Sequence, residues 1–360
     1  MPKVIVQIID ELSGGGAQRS TLKIAKGFSQ RGHKVHLISI YDVKPDYPME
    51  FNKKYYSLGY TKKKLFKNFI YAYTLKALLS KIKEEEGSID LILGNLGLSH
   101  KLMSMIGLDE AYYTIRNTLS TSKLDVRRGI SRYIKAKKIR NFYNTKKLIS
   151  VSEGVREDLM QEFGINPVEN LVIYNPFDFD EIRSLALEDK NEYKDENYMI
   201  HVGRFVDAKR HDVLLKAYAK SGVNLKLLLL GQGGNEPKIR DLVKELNLED
   251  SVIFAGFKSN PYPYIKDAKM MVLSSDFEGL PTVLIESLVL DTPVVSTDCK
   301  SGASEILTHK LSSFLSPVGD SDALAENIKR MSENLLSGFS KELEPFHIDT
   351  VIKKYLELCK

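Results

Sequence analysis

The sequence predicts an α/β protein of two doubly wound domains, each a parallel sheet with helices on both faces, facing each other across a cleft. Three observations predict it. Short, near-continuous Val/Ile/Leu/Met runs recur along the whole chain, as strands read when helices cover both faces of their sheet. Apolar patterns of helical spacing fall between the runs. The alternation is interrupted by a charged stretch over 188–197 and then starts again, and 360 residues suit two domains of ordinary size.

The elements follow in order. VIVQII (4–9) is a strand of the buried type, Gly14, Gly15 and Gly16 turn the chain, and Leu22, Ala25 and Phe28 share one helix face. Arg31-Gly32-His33 ends that helix and VHLISI (35–40) is the next strand. Strand, helix and strand at this spacing make a βαβ unit, which implies a parallel sheet. Further strands are expected at 89–93, 111–115, 148–151 and 171–174, with Asn175-Pro176 as punctuation. The second half places strands at 198–202, 225–230, 252–255, 270–274 and 293–297. The domains are therefore set at 1–175 and 176–342, with 343–360 a terminal helix packing back on the first domain. In such sheets ligands bind outside the carboxyl ends of the strands.

Composition narrows the class. The chain is 43% hydrophobic and 28% charged, an ordinary globular balance. Cys299 and Cys359 are far apart and lack metal-like spacing, which suits a reducing compartment and no disulfide framework. The seven histidines form no HxxxH or HExxH pattern, so no metal site is expected. The apolar N-terminus MPKVIVQIID is too short and too poorly flanked for a signal peptide, and no run approaches a membrane span. A cytoplasmic protein is expected. The net charge of +5 favours anionic partners only weakly and gives no reason to expect nucleic acid.

The stretch DFEGLPTVLIESL, 276–288, joins an acid, a Gly-Leu-Pro turn and a second acid. Pro281 suits the first position of a helix, where its missing N–H costs nothing. Glu278 then falls ahead of the helix and Glu286 roughly 7–8 Å along it. Between them lies a helix N-terminus, a natural anion site. Three more candidate segments follow strands: Gly203-Arg204-Phe205 with Lys209, Gly231-Gln232-Gly233-Gly234, and Gly256-Phe257. Two fixed cations and a helix start can hold a diphosphate without a metal. Taken singly, Arg204 and Lys209 read as solvated surface charges; it is their place beside three glycine-bearing strand ends that makes them candidates.

These segments resemble the retaining glycosyltransferases of family 4, which have the GT-B fold. The likeness lies in HVGRFVDAKRHDVLLKAYA, LLLLGQGG and DFEGLPTVLIESLVLDTPVVSTDCKSGASEIL, and in the first half in SGGGAQRSTLKIAKGFSQRGHKVHLIS and SVSEGVREDLMQEFGINPVENLVIYNPFD. The resemblance implies transfer of a sugar from a nucleotide diphosphate, UDP by preference, to a glycan hydroxyl, with retention and without a metal or other cofactor. It makes Arg204 and Lys209 the diphosphate clasp, sets Glu278 against the transferred sugar and Glu286 on the ribose. It adds Gly203, Gly256 and Phe257, with the backbone of Gly279, Leu280, Pro281, Thr282 and Val283, to the donor site. Gly15 and Gly16 of the N-terminal loop approach the same phosphate, and the first domain takes the acceptor. Where many members carry a His or an acid, this chain has Arg116 and Asn117, whose role the resemblance leaves open.

Two readings compete. The glycine run suggests a dinucleotide-dependent oxidoreductase, but G-x-G-x-x-G lacks its third glycine, although Asp42 follows strand two. A sugar-nucleotide epimerase can share the two-domain fold without needing E-x7-E or an acceptor site. One more feature concerns the acceptor. Residues 121–147 hold ten Lys/Arg against Asp125 alone, and Val126, Ile130, Tyr133 and Ile134 share a face if this is a helix. Lys62, Lys63, Lys64 and Lys67 form a second basic run. Solvated helix faces explain both; docking on an anionic cytoplasmic leaflet, with a lipid-linked oligosaccharide or lipopolysaccharide precursor as acceptor, is the functional reading.

Overall fold

The computed structural model describes residues 1–13, 15–44, 54–61, 66–124, 129–188 and 191–359. It separates into two compact units: Met1–Phe177 with Phe346–Lys360, and Asp178–Pro345.

The first unit is built from β1 (Val4–Ile9), α1 (Gly16–Gln30), β2 (Lys34–Ser39), β3 (Tyr55–Ser57), α2 (Lys67–Glu86), β4 (Leu91–Asn95) and α3 (Gly97–Met105). It continues with β5 (Tyr112–Ile115), α4 (Leu119–Lys123), α5 (Gly129–Tyr143), β6 (Lys147–Ser150), α6 (Glu153–Phe163) and β7 (Glu169–Val172). The strands are all parallel, in the order β3-β2-β1-β4-β5-β6-β7. Alternate residues of β1 serve opposite faces, as the pleat requires. Val6 and Ile8 join a core with Leu75 of α2, Leu102 of α3, Ile139 of α5 and Leu159 of α6. Ile5 packs on the other side with Ile24 and Phe28 of α1. Helix α6 shows how local sequence sets such an element: Ser152 Oγ accepts from the Val155 amide at 3.1 Å, and Gly164 ends the helix in the left-handed region at φ 61°.

The second unit comprises α7 (Phe179–Glu188), β8 (Tyr198–Val202), α8 (His211–Ser221), β9 (Lys226–Leu230), α9 (Glu236–Glu245), β10 (Val252–Gly256) and α10 (Tyr262–Asp267). Then come β11 (Met271–Leu273), α11 (Thr282–Val289), β12 (Val294–Thr297), α12 (Ala303–Ile306), β13 (Leu315–Ser316), α13 (Ser321–Glu333) and α14 (Ser340–Leu343). Its six parallel strands run β10-β9-β8-β11-β12-β13. The last helix, α15 (Ile348–Leu356), returns to the first unit, where Ile352 lies against Gly27 of α1 so closely that a Cβ on that glycine would stand 2.7 Å from it.

Two strands escape the sequence pattern, β3 and β13. Both are sheet edges of two or three residues, too short for an apolar run. Pro281 is corrected by one position: it is the N-cap of α11, and Thr282 is the first helical residue. The basic stretch does form a helix, starting at Gly129. Gly14, Lys62, Lys63, Lys64, Asp125 and Val126 lie outside the described residues.

Candidate functional site

In the second unit the strand order changes direction between β8 and β11. Chain leaves these neighbouring strands in opposite senses, which opens a crevice at their carboxyl ends. Both predicted charge clusters sit there. The turn after β8 carries Arg204 and Lys209, and the turn after β11 carries Glu278. Lys209 Nζ meets Glu278 Oε1 at 2.5 Å, with both side chains largely buried. The same carboxylate oxygen accepts from Ser275 Oγ at 2.8 Å. Backbone and side-chain bonds tie the two turns together, from the Asp276 amide to the Ala208 carbonyl at 2.9 Å and from Ser274 Oγ to the Lys209 carbonyl at 2.8 Å. Arg210, in the left-handed region at φ 45°, adds an ion pair to Asp276 at 2.9 Å.

Arg204 differs from its neighbours. It is exposed, and among the described residues its guanidinium has no hydrogen-bond or ion-pair partner. Its backbone is nonetheless held rigidly. The Gly203 amide donates to the Leu230 carbonyl at 3.0 Å and the Phe205 amide to the Gln232 carbonyl at 3.0 Å. This wrapping needs glycines opposite: a Cβ at Gly231 would lie 1.9 Å from the Gly203 carbonyl oxygen, and one at Gly233 2.4 Å from that of Phe205. Gly231 also donates to the carbonyl of Gly256, at 2.8 Å, so the ends of β8, β9 and β10 are joined by backbone contacts. Phe257 follows, with 61% of its surface exposed.

Leu280 and Pro281 turn the chain into α11, whose N-terminus no side chain caps. The turn rests on Gly302, φ 91°, where a Cβ would stand 2.7 Å from Pro281 Cδ and 3.0 Å from Leu280 Cα. Gly279, Thr282 and Val283 complete the turn. Glu286 is half-buried on α11 and accepts from Tyr262 Oη at 3.5 Å. The structure thus brings Lys209 into direct contact with Glu278, sets Arg204 on the adjoining strand end, and puts Glu286 on the helix that follows. Sequence reasoning passed over Tyr262 and Gly302. Only Gly302 left a signal, inside the CKSGASEIL segment.

In the first unit the strand order turns between β1 and β4. Two helices start there. Asp10, at the end of β1, fills the start of α3, accepting from the Ser99 amide at 2.7 Å and the Leu98 amide at 3.0 Å. Burial nevertheless raises its carboxyl above the usual range. The start of α1 has Gly15 as its N-cap and no side-chain cap, and neither Gly15 nor Gly16 has an atom within 4 Å of where a Cβ would be. Arg116 points its guanidinium into the unit. It donates to Asn95 Oδ1 at 2.6 Å, Ser20 Oγ at 2.7 Å and Asn175 Oδ1 at 2.8 Å, and burial lowers its pKa. It therefore ties α1, β4 and the end of the β7 segment together. Asn117 beside it is exposed. Among the described residues no group of three or more His, Cys, Asp or Glu is placed to hold a metal, and no helix is long and apolar enough to cross a membrane.

Comparison with known proteins agrees with this division. Residues 14–181 match the family described as Glycosyltransferase Family 4, and residues 183–341 match Glycosyl transferases group 1. Each unit thus carries one match, and both matches are to glycosyltransferase family models. Among curated relatives, the chain is 39% identical over 183 residues to the Campylobacter jejuni N-acetylgalactosamine-N,N'-diacetylbacillosaminyl-diphospho-undecaprenol 4-alpha-N-acetylgalactosaminyltransferase, covering 51% of this chain and 50% of that protein. It is 28% identical over 178 residues to the Escherichia coli lipopolysaccharide 1,6-galactosyltransferase, covering 48% of each. The chain thus spans about half the length of these two relatives. Among solved structures, Anabaena HepE in complex with UDP superposes with a TM-score of 0.78 at 18% identity, over 98% of both chains. The fold is the GT-B α/β fold, two Rossmann-like parallel-sheet units.

Proposed function

We propose that the protein is a retaining glycosyltransferase that moves a sugar from UDP to a hydroxyl of a lipid-linked or surface-polysaccharide precursor, without a metal. The observation that carries this reading is the Lys209–Glu278 pair across the β8/β11 crevice, with Arg204, unpartnered among the described residues, beside it and the start of α11, without a side-chain cap among those residues, after it. That set offers two cations and a helix dipole to a diphosphate, and a carboxylate at its far end.

In this reading the diphosphate lies at the start of α11, held by Arg204 and Lys209. Glu278 faces the sugar, and Glu286 takes the ribose hydroxyls. The bond from the anomeric carbon to the phosphate oxygen breaks, and its electron pair stays on the phosphate. The acceptor oxygen bonds to the same face of that carbon, and its proton passes to the departing phosphate oxygen. UDP and the extended glycan are the products. Preorganised charge at the leaving oxygen is the main source of acceleration. Glu278 positions the sugar and offsets positive charge on the ring, and no protein group is needed as general base.

The Campylobacter relative's name specifies a diphospho-undecaprenol acceptor and the E. coli relative's a lipopolysaccharide. Those names, with UDP in the Anabaena complex, support the choice of donor and acceptor class. The test is a panel of labelled UDP-sugars with extracted lipid-linked glycans, run with and without EDTA. The expected result is UDP release with label in the lipid fraction, an anomeric configuration equal to the donor's, and no effect of chelation. Inversion at C2 of the free nucleotide sugar would mean an epimerase, and nicotinamide reduction an oxidoreductase.

A further inference from the structure

Arg116, just after β5, divides its guanidinium among three segments of the first unit. Nη1 donates to Ser20 Oγ at 2.7 Å and to Asn175 Oδ1 at 2.8 Å. Nη2 donates to Asn95 Oδ1 at 2.6 Å and to Thr21 Oγ1 at 3.4 Å. Ser20 Oγ in turn donates to Asn175 Oδ1 at 2.7 Å, which closes a ring of three side chains. Ser20 and Thr21 lie in the second turn of α1, and Asn95 ends β4. Asn95 also donates to the Ile8 carbonyl of β1 at 3.4 Å, so the network reaches the place where the strand order turns. Asn175 stands two positions before Phe177, where the long stretch of this unit ends.

The choice of partners carries information. All four are uncharged, and Nε is buried with no partner among the described residues. Taking a guanidinium from water without a counter-ion is unfavourable. A single carboxylate would offset that better, but a bidentate pair would commit both terminal nitrogens to one element. Four neutral oxygens let one rigid, planar fork fix α1, β4 and the segment at 175 together. Ser20, Thr21 and Asn95 are at most 5% exposed, so the grip on α1 and β4 lies beneath the surface. This end of α1 has little else to fix it: no side chain caps its start, and a Cβ at Gly15 or Gly16 would meet no atom within 4 Å. The far end is held separately, by the ion pair of Arg31 with Asp349 of α15 and by Ile352 against Gly27.

We propose that Arg116 is a positioning residue for sugar transfer. It touches no substrate; through Ser20 and Asn95 it holds the open start of α1 in register with the carboxyl ends of β1 and β4. The inference rests on the reading of the protein as a glycosyltransferase whose Gly15–Gly16 loop meets the donor phosphate. Phosphate at a helix start is bound by backbone N–H groups, so the helix that carries them must be accurately placed. A misplacement of about 1 Å can lower a rate roughly a hundredfold. Lysine cannot substitute, because a single nitrogen lacks the fork that reaches all four oxygens.

The test compares Arg116→Lys, Arg116→Gln and Ser20→Ala with the wild-type protein by turnover of the UDP-sugar panel, UDP calorimetry and backbone hydrogen exchange. Rates are taken well below melting and expressed per folded molecule, so that a loss of stability alone would not move them. Both Arg116 variants should lose roughly ten- to a hundredfold in kcat, with acceptor KM and UDP affinity within about twofold of wild type. Ser20→Ala should lose less, and adding it to Arg116→Gln should change little more, because the two act through one contact. Exchange should quicken between Arg19 and Ala25 of α1 and stay unchanged in the second unit. Arg31→Gln, at the other end of α1, should keep kcat within about twofold. A raised acceptor KM at unchanged kcat, with Ser20→Ala without effect, would overturn the inference and make Arg116 a substrate ligand. Unchanged exchange in α1 of Arg116→Gln would overturn it too, as would an equal loss of kcat in Arg31→Gln, which would leave only a general need for a stable α1. Wild-type transfer with fully active Arg116 variants would overturn the inference and leave the proposed function standing. No transfer by the wild type from any UDP-sugar would overturn both, and the exchange pattern would then report the anchoring of α1 alone.

Discussion

Lys209 is the residue on which the second-unit site turns. Its ammonium is already satisfied by Glu278 at 2.5 Å, whereas Arg204 beside it has no partner among the described residues. On the proposed reading an incoming diphosphate finds, among the described residues, one free cation and one that must be shared. A charged hydrogen bond is worth about 1.5–3 kcal/mol, and about 1.4 kcal/mol is tenfold in rate or affinity. Arg204→Ala and Lys209→Ala should each lower kcat/KM by roughly one to two orders of magnitude. The exposed Arg204 should leave the melting temperature untouched. Lys209→Ala should lower it slightly, because among the described residues Glu278 then keeps only Ser275 as a side-chain partner. Activity within about twofold of wild type for both variants would remove them from the site. The two glutamates should separate in a different assay. Glu278 stands in the turn and Glu286 on the helix beyond it, hydrogen-bonded to Tyr262. Glu278→Gln should depress turnover with UDP affinity little changed, and Glu286→Gln should weaken UDP binding by calorimetry. The reverse pattern would exchange their roles.

At the scale of the element, the crevice depends on close backbone packing more than on any side chain. The turn into α11 rests on Gly302, and a methyl there would meet Pro281 Cδ at 2.7 Å, at a φ of 91° that L-residues rarely adopt. Gly302→Ala should therefore push the 279–283 turn out of place. UDP affinity should fall about tenfold or more while far-ultraviolet circular dichroism stays unchanged; unchanged affinity would show that the turn does not serve the nucleotide. The sequence made such elements legible to different degrees. Strands such as β1 and β8 are apolar but for one residue each, Gln7 and His201, and declared themselves. Edge strands β3 and β13 did not, because two or three residues at a sheet edge carry no period. Arg204, Lys209, Glu278 and Glu286 could be named because they follow strands or flank a Gly-Leu-Pro turn. Arg116 could be named but not placed. Its partners Ser20, Asn95 and Asn175 are scattered over more than 150 positions, and only folding assembles them.

At the scale of the whole molecule, buried histidines make acid stability a property of both units. His100 in the first unit and His201 and His211 in the second are each at most 4% exposed. Burial is the first cause in all three, lowering His100 and His211 to about 4 and His201 well below the usual value. The neutral forms suit their surroundings. A ring nitrogen of His100 lies 3.1 Å from the Gly94 carbonyl, one of His201 lies 2.9 Å from the Val272 carbonyl, and the His201 and His211 rings meet edge to face at 4.8 Å. Above the unfolded value of 6.5 neither state binds a proton at these sites, and they contribute no pH dependence. Below it the unfolded chain takes up protons that the native state refuses, so stability falls as pH falls. Between about pH 6.5 and 4.5 each histidine should cost on the order of 1–3 kcal/mol. Glu86, held at about 2 by Lys34 and Lys54, loses its contribution only below 4.5, and Asp10, raised by burial, works in the opposite sense. Urea denaturation at about pH 7, 6 and 5 should thus show stability declining stepwise in both units. His211→Phe, which keeps a ring against Phe205, should flatten the decline for the second unit alone. Stability that held level or rose from pH 7 to pH 5 would mean that these imidazoles accept protons where they are buried.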